Sequence, residues 1–182
     1  MTAPGTPDTY QGTELWDFSL VDPDNRRPVD YALRARLLDE VEGAVDARQL
    51  AATLDDPRAK LFVIARTLRL RREREALFRE GEYIPLNVHG TRAGHVVAFA
   101  RRLGDEAAVT IAPRLYARLT AGRESPPVGE DVWDDARIEV PPRLAGSGLL
   151  QSVFDGASID SGGTVRLADA LANFPVALLA TR

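Results

Sequence analysis

Cysteine is absent from the 182 residues, which excludes disulfide staples, thiol nucleophiles and thiolate metal sites together. Histidine is almost absent: only His89 and His95 occur, around Thr91-Arg92-Ala93-Gly94, a spacing that fits no zinc motif and leaves surface or packing roles for both. No apolar run approaches the roughly 20 residues that cross a bilayer. Met1 is followed by Thr-Ala-Pro-Gly-Thr-Pro rather than by the charged segment and apolar run of a secretory signal. An excess of positive charge is also missing, because 23 basic against 27 acidic side chains give a formal net charge of −4, so no global field holds a polyanion. These absences set the first expectations: a cytoplasmic protein with no metal, no cofactor, no membrane contact and no nucleic-acid partner.

What is present, 45% hydrophobic and 27% charged residues, is the composition of one globular domain carrying a sizeable appendage. Pro4, Gly5 and Pro7 force a turned or extended start, and Asp8 to Leu15 follows as a short β-compatible run. The segment Val21-Asp22-Pro23-Asp24-Asn25-Arg26-Arg27-Pro28-Val29-Asp30 has a loop composition. Its Asp and Asn side chains can bond sugar hydroxyls and its Arg forks can clamp a carboxylate, while the plainer reading is a solvated turn tied by Asp–Arg pairs. A calcium loop does not fit, since Arg27 would stand where the turn glycine is needed and Leu33 where the bidentate Glu is needed.

The middle is helical by pattern. Asp30 is placed to cap a helix with Leu33, Leu37, Leu38 and Val41 on one side and Gly43 as its stop. A short helix is expected over Asp46 to Leu54. The spacing then predicts one long helix from the Asp56 cap and Pro57 to near Gly81, with Leu61, Ile64, Ala65 and Leu68 inward. Its other face carries Arg66, Arg69, Arg71, Arg72 and Arg74, a nucleic-acid candidate, yet Glu73 and Glu75 stand four residues after Arg69 and Arg71 and point to an ion-paired, solvated face.

From Glu82 the period changes to short runs bounded by Gly, Pro and Asp: Tyr83 to Val88, His95 to Arg101, Ala107 to Ala112, Arg137 to Val140, Leu149 to Phe154, Thr164 to Leu167 and Val176 to Ala180. Such runs predict an antiparallel sandwich or sheet, with a long Pro- and Gly-rich connection from Arg114 to Asp135. Trp133 can be a sugar-stacking platform or cover for a sheet end. Gly162-Gly163 marks a turn and is followed by nothing like a phosphate loop.

Residues 4–15 (PGTPDTYQGTEL), followed by Trp16-Asp17 and by 20–30 (LVDPDNRRPVD), resemble the last barrel strand and following loop of the maltooligosyltrehalose synthases, a group of the α-amylase family. The similarity continues through 68–74, 96–101 and 174–179. The resemblance implies an α+β architecture: residues 1–81 as the terminal βα unit of a (β/α)8 barrel with outer helices, and residues 82–182 as a C-terminal antiparallel, sandwich-like β domain. It implies the activity of a (1→4)-α-D-glucan 1-α-D-glucosylmutase, which converts the reducing-end α-1,4 linkage of a maltooligosaccharide to α,α-1,1 by intramolecular transglycosylation. In this family one carboxylate is the nucleophile and a second the acid/base. No Asp or Glu here matches those motifs, and a whole barrel takes ~250 residues. The chain is therefore expected to be a C-terminal portion, inactive alone, with maltooligosaccharide and the remaining barrel as its partners. Tyr10, Gln11, Glu14, Asp22, Asp24, Asn25, Arg26 and Arg27 are the residues the resemblance puts at a sugar subsite. The other expectation is a non-catalytic glucan-binding or assembly module, with Trp133 or Tyr83 stacking on sugar.

Overall fold

A computed structural model describes residues 1–20, 26–43, 45–53, 55–145 and 148–182. Helices come first. α1 (Tyr31–Glu42) begins where the Asp30 carboxylate accepts the Leu33 N–H at 2.8 Å, satisfying a donor that the first turn leaves open. Asp46 caps α2 (Ala47–Ala52) by taking the Arg48 N–H at 2.8 Å, and Asp56 caps α3 (Pro57–Glu73) by taking the Arg58 N–H at 2.9 Å, with Pro57 in the first turn.

The single long helix expected to run to Gly81 is broken. Arg74 leaves helical geometry (φ −117°, ψ 46°), and α4 (Glu75–Glu80) starts afresh. The Arg74 guanidinium is drawn to the sheet, donating to the Thr181 carbonyl at 3.1 Å and pairing with Glu106 at 3.0 Å, while Leu77 and Phe78 turn inward and are buried. Gly81 ends α4, and a Cβ there would run into the Leu77 carbonyl, so only glycine fits the passage from helix to strand. The arginine face is tied down as the charge pattern predicts, through other partners. Arg69 pairs with Glu42 of α1, Glu75 pairs with Arg79 at 2.7 Å, and Arg71 donates to the Met1 and Gly5 carbonyls at 2.7 and 3.2 Å.

The strands are β1 (Glu82–Pro85), β2 (Val88–His89), β3 (Val96–Leu103), β4 (Glu106–Pro113), β5 (Arg137–Glu139), β6 (Leu149–Ser152), β7 (Ser158–Asp160), β8 (Thr164–Arg166) and β9 (Ala177–Thr181). Four short helices interrupt them: α5 (Tyr116–Leu119), α6 (Glu130–Trp133), α7 (Pro142–Ala145) and α8 (Leu167–Ala170). Among the described residues two antiparallel sheets form, one of order β1-β3-β4-β9-β6-β7 and one of order β2-β5-β8. The mixed helical and antiparallel-sheet character matches the expectation. β7, with Ile159 as its one apolar residue, carries no alternating signal and was not foreseen, and the predicted long connection after Arg114 holds α5 and α6.

Side-chain alternation places the core in two layers. Val109 and Ile111 of β4 and Ala177 and Leu179 of β9 face the small sheet, where Ile138, Val165, Trp133 and Leu167 meet them. Ala108 of β4 and Leu178 and Ala180 of β9 face the other way, onto Phe62, Leu70, Leu77 and Phe78 of the helices. Phe62 of α3 meets Phe154 and Phe174 at ring separations of 5.9 and 5.8 Å, and those two rings lie 5.7 Å apart.

One correction concerns residues 8–15. They form no strand: residues 11–14 turn, and the Tyr10 carbonyl accepts both the Thr13 N–H at 3.1 Å and the Thr13 hydroxyl at 2.7 Å. A parallel barrel strand needs a partner on each side for its N–H and C=O groups, and none of the described residues offers one, so the segment satisfies itself locally. Farther along, Phe18 and Leu20 are 85% and 92% exposed. Among the described residues no helix is long and apolar enough to cross a membrane.

Two stability outcomes follow. Phe62→Ala opens a void where three rings meet and is expected to cost about 3–5 kcal/mol, read by urea denaturation with both far-UV and Trp signals. Arg101, 2% exposed, sits in β3 and donates to the Thr2 carbonyl at 3.3 Å and the Gly81 carbonyl at 2.7 Å; burial lowers its pKa, and the nearby Arg71 charge lowers it further. Arg101→Ala removes packing and both donors and is expected to cost about 2–4 kcal/mol in the same assay.

Candidate functional site

Two of the sequence-predicted residues, Gln11 and Glu14, are held by α1. Gln11 accepts the Tyr31 hydroxyl through Oε1 at 3.0 Å, and Glu14 is paired with Arg34 at 3.1 Å. Arg34 also donates to the Gly12 carbonyl at 2.6 Å and to the Asp30 carbonyl at 3.0 Å. One guanidinium thus joins the turn at 11–14 to the first turn of the helix that Asp30 caps. Gly12 makes the close approach possible: its φ is +91°, and a Cβ would stand 3.1 Å from the Val29 side chain. Arg34 was not singled out from sequence, although a basic residue four positions after the Asp30 cap was the available signal.

Lys60 of α3 fixes the next residues, donating to the Leu15 carbonyl at 3.0 Å and lying 5.4 Å from the centre of the Trp16 ring. Asp17 takes the Ser19 hydroxyl at 2.6 Å and the Ser19 N–H at 2.9 Å. Those two bonds hold its carboxyl below the usual range, and the charges of Lys60 and Arg27 add to the effect.

Of the eight predicted residues, Gln11 and Glu14 are brought together through Tyr31 and Arg34. Tyr10 stands beside them with its ring 48% exposed. Arg26 and Arg27 are exposed, Arg27 within electrostatic reach of Asp17. Asp22, Asp24 and Asn25 lie outside the described residues. Glu14 is engaged as a brace; among the described residues the Tyr10 ring and the Gln11 amide N–H donors, with the exposed Arg26 and Arg27, are groups able to meet a hydroxylated ligand.

The other candidates separate clearly. Trp133 is fully buried and donates its indole N–H to the Pro127 carbonyl at 2.8 Å, so it covers the small sheet and cannot stack on a sugar. Tyr83 packs its ring 5.1 Å from that of Phe99, next to it on the sheet. His89 lies 3.5 Å from Glu139, and among the described residues no group of three or more His, Asp or Glu side chains could hold a metal ion.

No family model matches the chain. A Mycobacterium tuberculosis protein, named provisionally as a maltooligosyl trehalose synthase, is 41% identical over 138 residues, which is 75% of this chain and 16% of that protein. The solved maltooligosyltrehalose synthase of Arthrobacter ramosus superposes with a TM-score of 0.77 at 39% identity, over 99% of this chain and 21% of that one. A further maltooligosyl trehalose synthase crystal structure shares the fold, with a TM-score of 0.65 at 22% identity over 98% of this chain and 20% of that one. The chain therefore spans about a fifth or less of the length of the relatives it matches.

If Arg34 is the tie between turn and helix, Arg34→Ala should raise amide hydrogen exchange at residues 11–15 by about tenfold or more while leaving β3, β4 and β9 protected. Glu14→Gln, which removes one partly exposed ion pair but leaves the carbonyl bonds, should change exchange there far less.

Proposed function

We propose that this chain, whose likeness to the maltooligosyltrehalose synthases runs through 99% of its length, is the C-terminal portion of such an enzyme. The observation that carries the reading is this match in sequence and fold together. It fits residues 1–81 as the end of an α-amylase-type barrel with its outer helices and residues 82–182 as the β domain behind it, in a cytoplasmic enzyme.

The reaction is the isomerisation of a maltooligosaccharide end from α-1,4 to α,α-1,1. The reducing-end glucosyl residue is released from its α-1,4 bond as a glycosyl-enzyme forms, and its anomeric hydroxyl attacks that intermediate before water does. Orientation and exclusion of water decide the product. This chain supplies neither nucleophile nor acid/base in that scheme. Its part is a wall: the Tyr10 ring and Gln11 amide line a sugar subsite, Arg34 and Tyr31 keep them in place, and the sheet carries the assembly. The exposed Phe18 and Leu20 suit a covering by the rest of the barrel.

The alternative of a non-catalytic glucan-binding or assembly module loses Trp133, which is buried, and keeps the half-exposed Tyr83 as a stacking ring. The test is reconstitution. The isolated chain incubated with maltopentaose should give no trehalosyl product by chromatography, whereas co-expression with the non-matching portion of the Arthrobacter ramosus enzyme should restore it. Turnover by the isolated chain, or none from the pair when both are folded and associated, would refute the proposal.

A further inference from the structure

A second groove shares no residue with the Tyr10–Arg34 turn. It runs between the end of α2 and the loop after α5, has a volume of about 580 Å³, and is lined by Tyr116, Thr120, Asp55, Arg123 and Glu124 over a floor of alanine and proline. That size and that mixture of apolar floor and few polar groups are those of a small-ligand site.

Three observations bear on what it holds. Tyr116, 43% exposed, lines the groove and also the neighbouring apolar hollow beside Trp16, Lys60 and Phe174, and its hydroxyl meets no hydrogen-bond partner among the described residues. Burial of the rest of the ring pushes the phenol pKa up, so the hydroxyl stays neutral. Next, the helix that carries it is bracketed by two non-glycine residues in the left-handed region, Leu115 (φ 57°) and Ala121 (φ 52°). Such conformations persist where surrounding bonds impose them, as the Gly122 N–H to Ala117 carbonyl bond at 2.8 Å does here, and they gather at functional positions. Last, Asp55, Glu124 and Arg123 line one groove without pairing among the described residues; Arg123 uses only its Nε, on the Thr120 carbonyl at 3.2 Å. Elsewhere Arg34, Arg58, Arg69, Arg74, Arg79 and Arg166 all hold carboxylates.

An aromatic face over an apolar floor, rimmed by donors and acceptors not spent on one another, suits a neutral polyhydroxylated chain. Two carboxylates against one guanidinium disfavour an anion. We infer that this groove is a second glucan site, which binds an uncharged α-1,4-linked oligosaccharide with Tyr116 against a sugar face and Asp55, Arg123 and Glu124 on its hydroxyls. The identity of the sugar rests on the reading of the chain as part of a glucan-acting enzyme; the groove does not.

Calorimetric titration of the full chain with maltoheptaose, and with cellohexaose as the β-linked control, tests the site. Saturable binding of maltoheptaose is expected, weakened about tenfold or more by Tyr116→Ala and by Arg123→Ala, and unchanged by Arg79→Ala, an exposed position on α4. Arg123 is exposed, so its variant should keep the wild-type melting temperature even if Tyr116→Ala does not. Absence of saturation, equal affinity for cellohexaose, or wild-type affinity in folded Arg123→Ala overturns the site, whatever the reconstitution gives. Failed reconstitution with these binding results intact overturns the enzyme reading and leaves the groove.

Discussion

The structure depends on covering β4 and β9 from both sides. All five residues of β9 are buried, which a two-layer sheet with one wet face does not permit. Its small residues, Ala177 and Ala180, alternate faces with Leu179 and Leu178, so one layer sits on the small sheet and the other on the helices. On the helical side, the meeting of Phe62, Phe154 and Phe174 draws one ring from α3 and two from segments that flank β6 and β9. The helices are thus a required cover for the sheet, and the turn at 11–14, tied to α1 through Arg34, takes its place from that packing.

Much of this was legible in the residues. Asp30 and Asp56 announced two helix starts because a short carboxylate before an apolar period has one favoured use, and each accepts the N–H expected of a cap; Asp46, expected as the first residue of its helix, is that helix's cap. The runs from His95 to Arg101 and Ala107 to Ala112 marked β3 and β4 well, since long strands give long runs between their bounding turns. Ser158–Asp160 passed unseen because Ile159 is its one apolar residue, whereas the equally short β5 and β8 run on into Val140 and Leu167. The break at Arg74 was illegible for another reason: local propensity favours helix straight through, and the competing pull comes from Glu106 and Thr181, distant in sequence.

The site divided in the same way. The resemblance put forward Tyr10, Gln11 and Glu14, but not which of them are spent on the protein's own bonds; that needed Arg34 and Tyr31 from the neighbouring helix. Trp133 could be read as platform or cover because an indole suits both, and only its burial and its bond to the Pro127 carbonyl decide. The run at 8–15 had strand composition without strand partners, and composition does not record partners.

The position of β9 carries a consequence for how the molecule is made. It lies between β4 and β6 in space yet comes after every other strand in the chain. During vectorial synthesis the large sheet therefore exists as two separate halves, each with a raw inner edge, until residues 177–181 emerge and bridge them. Through that interval the bare edges of β4 and β6 are open to pairing with neighbouring polypeptides.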